Sequence, residues 1–168
     1  HAWFHAEGYS SLKELGPYAY KMIRGLDFYQ YCYAAIEKSG RVDLIHEPVQ
    51  EVKNENEHVS VKTVSRVVTG SYAFNSIMAE QPKYKEDDLV LLQHFKGWII
   101  ETPSAFFDTE NATLMDFRVN QDEGTTFIYV MPLSTTQALV EYTLFTPSLL
   151  SDEHYEGALK NYIAEYLK

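Results

Sequence analysis

The sequence predicts an α+β fold, an antiparallel β-sheet with helices packed on it. Two segments space their apolar residues as helices do, and most others alternate or run apolar over strand lengths. The strand-like segments follow one another instead of alternating with helices, which is the α+β pattern. Trp3 to Gly8 and Tyr18 to Ile23 read as short aromatic-rich strands around a Gly16-Pro17 turn. Asp27 is a candidate N-cap for a helix that Gly40 ends. Phe28, Tyr31, Cys32, Ala35 and Ile36 between them predict one buried helical face. Val42–His46, Val49–Lys53, His58–Val64 and Ser71–Ile77 are strand-like, and Asn54-Glu55-Asn56-Glu57 is the turn of a hairpin. The charged segment Ala79–Asp88 reads as a connector. Leu89–Glu101, Thr113–Arg118, Thr125–Pro132 and Ala138–Phe145 then predict an antiparallel meander. Ser151 or Asp152 caps a final helix with an apolar stripe of Tyr155, Leu159, Tyr162, Ile163 and Tyr166.

A chain of 168 residues can bury one sizeable core. Because it opens at His1, we expect an internal portion of a longer protein. A net charge of −10 argues against a nucleic-acid footprint, which needs a basic face. No apolar run approaches the ~20 residues that span a bilayer. The single cysteine, Cys32, excludes an internal disulfide, and the histidines lack metal-ligand spacing. Neither G-x-S-x-G, G-x-G-x-x-G nor G-x-x-x-x-G-K occurs. Thirteen tyrosines, nine phenylalanines and two tryptophans suit a core, an interface or a pocket for a large apolar or cationic ligand.

Chemistry concentrates between Leu91 and Pro147. Glu141 sits inside Ala138-Leu139-Val140-Glu141-Tyr142-Thr143-Leu144-Phe145, and alternation leaves it among apolar neighbours on either face. Desolvation there favours the protonated acid, the form a general acid for a hydrocarbon double bond requires. An edge-strand glutamate facing water or bridging to an arginine is the plainer alternative. Asp116 and Arg118 stand two apart, either as a simple ion pair or as a fixed carboxylate that Arg118 orients. His94 reads as a satisfied core histidine.

These segments resemble the lycopene cyclase family. Gln93-His94-Phe95-Lys96-Gly97-Trp98 is similar to its Q-x-x-x-G run, with Gln93 and Gly97 matching. Met115-Asp116-Phe117-Arg118 resembles its M-D-W-R motif, and Leu139-Val140-Glu141-Tyr142-Thr143 its F-L-E-E-T motif. Bacterial members look closer than plastid ones. Ile23-Arg24 resembles the family's arginine-led helix start, and the likeness runs from about Tyr20.

The resemblance implies a piece of a hydroxybenzoate-hydroxylase-like FAD flavoprotein. Residues 1–80 would be an incomplete cofactor-side region, and 81–168 the antiparallel-sheet substrate region with the C-terminal helix. It implies a cyclase that protonates the linear end groups of lycopene and closes them to β-rings, using reduced FAD without net redox. Glu141 takes the place of the essential glutamate, with Asp116 and Arg118 as further catalytic residues. Arg24 is the cofactor-binding candidate, and Gln93, Phe95, Trp98 and Phe117 are the substrate-binding candidates. Asn75-Ser76-Ile77-Met78 stands where members often carry D-A-T-G. The isolated chain is therefore expected to hold little or no FAD and to be inactive. Lycopene or a related carotenoid is the expected partner, met at the inner face of a membrane by peripheral contact from the cytoplasmic side. A non-catalytic carrier for an apolar ligand is the alternative function.

Overall fold

The computed structural model describes residues 1–76 and 82–168. The chain is α+β, with two sheets and two long helices among the described residues. It divides into two compact units, His1–Lys21 with Tyr84–Lys168, and Met22–Lys83.

The first unit is built on a six-stranded sheet. Its strands are β1 (Ala2–Ala6), β2 (Tyr9–Lys13), β6 (Leu92–Glu101), β7 (Ala112–Asp116), β8 (Thr125–Pro132) and β9 (Gln137–Thr146). The order across the sheet is β2-β1-β7-β8-β9-β6. β7, β8 and β9 form antiparallel neighbours in sequence, as the alternation predicts. The meander expectation needs one correction: β6 pairs with β9, not with β7. The long connection from Thr102 to Asn111 carries the chain across the sheet, so these four strands make a Greek key. β1 lies parallel to β7 and antiparallel to β2. Tyr9–Lys13 is thus the second strand of the N-terminal hairpin, and Tyr18–Ile23 is not a strand. The turn falls at Gly8, whose φ of 69° suits glycine. The sequence reading passed over Tyr-Ser-Ser-Leu-Lys because it is short and polar.

The core lies on one side of this sheet. Ala138, Val140, Tyr142 and Leu144 of β9 are all buried, together with Ile128 and Val130 of β8. The helix α2 (Asp152–Tyr166) covers them with Tyr155, Leu159 and Tyr162. Ser151 is its N-cap, accepting from the His154 N–H, and Asp152 and Glu153 suit the positive end of the helix. Burying these apolar side chains contributes roughly 1.5–3 kcal/mol each. His94 is buried and satisfied at both nitrogens, by Thr146 Oγ1 and the Tyr155 hydroxyl, each at 2.7 Å. It ties β6 to both β9 and α2.

The second unit holds α1 (Gly25–Ser39) and a three-stranded antiparallel sheet of β3 (Val49–Glu55), β4 (His58–Thr63) and β5 (Val67–Gly70). The β3–β4 hairpin turns at Asn56-Glu57, as predicted. Val42–His46 and residues 71–76 are not strands, whereas Val67–Gly70 is. α1 ends at Gly40 in the left-handed conformation, but its N-cap is Arg24. Asp27 lies inside the first turn, favourable there through the helix dipole. The expected buried face of α1 is absent: none of its residues is buried, and Tyr31 is 75% exposed. Periodicity supplies an apolar stripe, but within this unit α1 packs on none of β3–β5. Ile77 and Met78, and residues 79–81 of the connector, lie outside the described residues.

Candidate functional site

Asp116 ends β7 and is fully buried on the helix-covered side. Its register partner is Ile128, which in turn faces Tyr142, so all three side chains share that face. The expected strand through Arg118 stops at Asp116, and the chain turns back on the carboxylate. The Arg118 backbone N–H donates to Oδ1 at 3.0 Å, and the guanidinium donates to Oδ1 at 2.9 Å and Oδ2 at 2.6 Å. From α2, the Tyr162 hydroxyl donates to Oδ2 at 2.8 Å. The Arg118 guanidinium also stacks 4.1 Å over the Tyr166 ring.

Burial works to raise the Asp116 carboxyl, but the donors from Arg118 and Tyr162 outweigh it and hold the group below the usual range. The hydrogen bond to Asp116 pushes Arg118 up. Burial first, and then the neighbouring carboxylate, push the Tyr162 phenol up. At pH 7 this is an ion pair under a neutral tyrosine. An open cleft of about 1010 Å³ runs beside it, with Phe117, Arg118, Tyr142, Gly157, Tyr162 and Tyr166 among its walls.

Glu141 lies on the opposite face. Along β9 the even-numbered residues pack under α2, so Leu139, Glu141, Thr143 and Phe145 point the other way. Across the sheet Glu141 stands between Gly97 of β6 and Tyr129 of β8. It is half-buried, and the Thr143 hydroxyl donates to its Oε1 at 3.1 Å. Around it this face is apolar and aromatic. Phe127 meets Tyr129 and Phe117 edge to face at centroid distances of 5.1 and 5.6 Å and lies 6.4 Å from Phe145. Burial first, and then the Glu141 charge, push the Tyr129 phenol up.

The structure therefore does not bring the site candidates into one cavity. Gln93 and Phe95 lie on the Glu141 face and are exposed, and the Phe117 ring joins that face through Phe127. Trp98 pairs with Val140 and packs against the core under α2, on the side of Asp116 and Arg118. Sequence reasoning missed Tyr162 and Thr143 as carboxylate partners. The tyrosines in the apolar helix stripe were the available signal for the first, because a buried hydroxyl needs an acceptor.

The family model for lycopene cyclase protein matches residues 3–167. The chain belongs to the lycopene cyclase family. Comparison with curated proteins and with solved structures gives no match.

For a lycopene cyclase the flavin is the cofactor to test against these residues. A dinucleotide pyrophosphate wants a helix N-terminus or a nest of N–H groups without competing negative charge. α1 starts after Arg24 and carries Asp27 in its first turn, with Arg24 Nε 3.6 Å from the Asp27 carboxylate. α2 starts with Asp152 and Glu153. Neither terminus fits the pyrophosphate, and Arg24, exposed and paired with Asp27, makes no such cradle with the residues described. Among the described residues no cluster of His, Cys, Asp and Glu could hold a metal ion.

Proposed function

We propose that this chain is part of a lycopene β-cyclase, which closes the linear end groups of lycopene to β-rings during carotenoid biosynthesis. The observation that carries the reading is the Glu141 carboxyl, set among apolar and aromatic side chains on a sheet face of a lycopene cyclase family chain. Thr143 donates to Oε1, which leaves Oε2 as the oxygen assigned to the proton transfer in this reading. That proton goes to the terminal carbon–carbon double bond of the polyene. The resulting carbocation is attacked by a neighbouring double bond, which closes the ring. The carboxylate left behind faces the cation and takes a proton from the adjacent carbon, so the step is an isomerisation with no net redox. Aromatic faces near Glu141 favour the cation as well.

Reduced FAD in the full-length enzyme would be held by segments of a hydroxybenzoate-hydroxylase-like fold other than these residues, and no step here runs through it. Asp116 and Arg118 act from the far side of the sheet, fixing α2 against the strands. Membrane contact is peripheral in this reading, because lycopene dissolves in bilayers; among the described residues no helix is long and apolar enough to cross one.

The test is Glu141→Gln in the full-length enzyme, assayed by conversion of lycopene to β-carotene with reduced flavin. The amide keeps the shape but cannot donate the proton, so turnover should fall by a factor of about 100 or more with folding and flavin content intact. Near-normal turnover would refute the acid role, whereas lycopene binding without turnover by the unsubstituted protein would favour a non-catalytic carrier for an apolar ligand.

A further inference from the structure

Beside Glu141 the edge strand β6 has a gap. On the Glu141 face β6 presents Phe95, Gly97 and Ile99, whose partners on β9 are Thr143, Glu141 and Leu139. Phe95 is 62% exposed and Ile99 65% exposed. Two bulky apolar side chains thus flank a residue with none, directly across from the carboxyl. The backbone does not demand glycine here, because only Gly8, Gly40 and Gly124 have positive φ. Glycine in a strand weakens it and marks a place where something approaches closely.

What Gly97 leaves room for is the Leu139 and Glu141 side chains of β9, which rest against its bare backbone. A Cβ there would lie 3.1 Å from Leu139 Cδ1, and 3.5 and 3.6 Å from Glu141 Cβ and Cγ. On the far side of Glu141 the Tyr129 ring stands where Gly97 has no side chain, so the approach to the carboxyl is one-sided. β6 is also the last strand of the sheet, so the gap opens at an edge.

We propose that Gly97 is a specificity-determining residue, whose notch between Phe95 and Ile99 admits the apolar end of a linear polyene to the Glu141 carboxyl. The inference rests on the reading of Glu141 as the acid. The Cα atoms of Phe95 and Ile99 are about 13 Å apart at the ordinary strand rise, so their side chains leave room for a narrow, extended hydrocarbon. The walls are apolar, as the substrate is. The carboxyl at the end of the notch is left charged by the proton transfer, and that charge complements the carbocation formed on ring closure.

The experiment uses the full-length enzyme with lycopene in detergent micelles. Binding is read from the shift of the polyene's visible absorption, and turnover from β-carotene formed. Gly97→Val should fill the notch, abolish the binding shift and lower kcat/KM by about tenfold or more, mainly through KM. Glu141→Gln should keep the binding shift and lose turnover, which separates this inference from the acid assignment. If Glu141→Gln turns over normally while Gly97→Val loses binding, the acid assignment fails and the notch stands as a binding element. Binding and kcat/KM of Gly97→Val within twofold of the parent would overturn the notch. Should Gly97→Val lose its flavin or its circular dichroism, Gly97→Ala decides. Its Cβ needs Leu139 to move only by a few tenths of an ångström, so a raised KM supports the notch and an unchanged one overturns it.

Discussion

Replacing Tyr162 with phenylalanine removes one oxygen from the interior and tests how the Asp116 carboxylate is held. The structure supplies four donors to it: the Arg118 backbone N–H, Nε and Nη2, and the Tyr162 hydroxyl. Asp116 has no exposed surface, so water cannot replace a lost donor. A hydrogen bond to a charged group contributes about 1.5–3 kcal/mol, and that is the expected cost of Tyr162→Phe at pH 7. Arg118→Leu should cost more, about 3–5 kcal/mol, because it leaves a buried carboxylate without its counter-charge.

The pH dependence follows from the direction of the Asp116 shift. The folded carboxyl is held below its ordinary value, so below about pH 4 the unfolded chain takes up the proton first. The stabilisation is therefore present above that pH and lost as pH falls through the folded value. The deficit of Tyr162→Phe should be full at neutral pH and shrink in acid. Urea unfolding followed by near-ultraviolet circular dichroism, from pH 7 down to pH 3, measures both. A deficit below about 0.5 kcal/mol at pH 7, or one that does not change with pH, would show that Tyr162 does not hold the carboxylate.

Two further outcomes follow from single positions. Gly124 has φ of 144° and an added Cβ would meet the Phe145 carbonyl oxygen at 2.5 Å, so Gly124→Ala should destabilise the β7–β8 turn by roughly 1–3 kcal/mol. An unchanged melting temperature would show that the turn remodels freely. Glu47 accepts from the Thr63 and Ser65 hydroxyls, with Arg66 beside it, and these hold its carboxyl at about 2. Its contribution to stability should be full above the ordinary glutamate value and fade as pH falls towards about 2. A carbon-13 titration of the side chain reads this directly; a midpoint in the ordinary range would contradict it, and Thr63→Val should raise the midpoint.

Local pattern was enough for β8, β9, α2 and the β3–β4 hairpin, because each carries its own periodicity, cap or turn residues within a few positions. Ala138, Val140, Tyr142 and Leu144 declare one face of β9 through alternation alone, and the Tyr155, Leu159 and Tyr162 stripe declares the face of α2. The motif residues that point to lycopene cyclases were equally legible, since they are short and contiguous. Partner choice was not. β6 joins β9 through pairs such as Leu92 with Thr146, and β1 runs parallel to β7 through pairs such as Ala2 with Ala112, separations that no local window records. Short polar strands such as Tyr9–Lys13 form because a neighbour supplies hydrogen-bond partners, which composition does not reveal. The same reason governs the site. Alternation separates odd from even residues within one strand, but only the register between strands decides which set on β9 faces Asp116 of β7. That register puts Tyr142 with Asp116 and leaves Glu141 on the other side, across from Gly97.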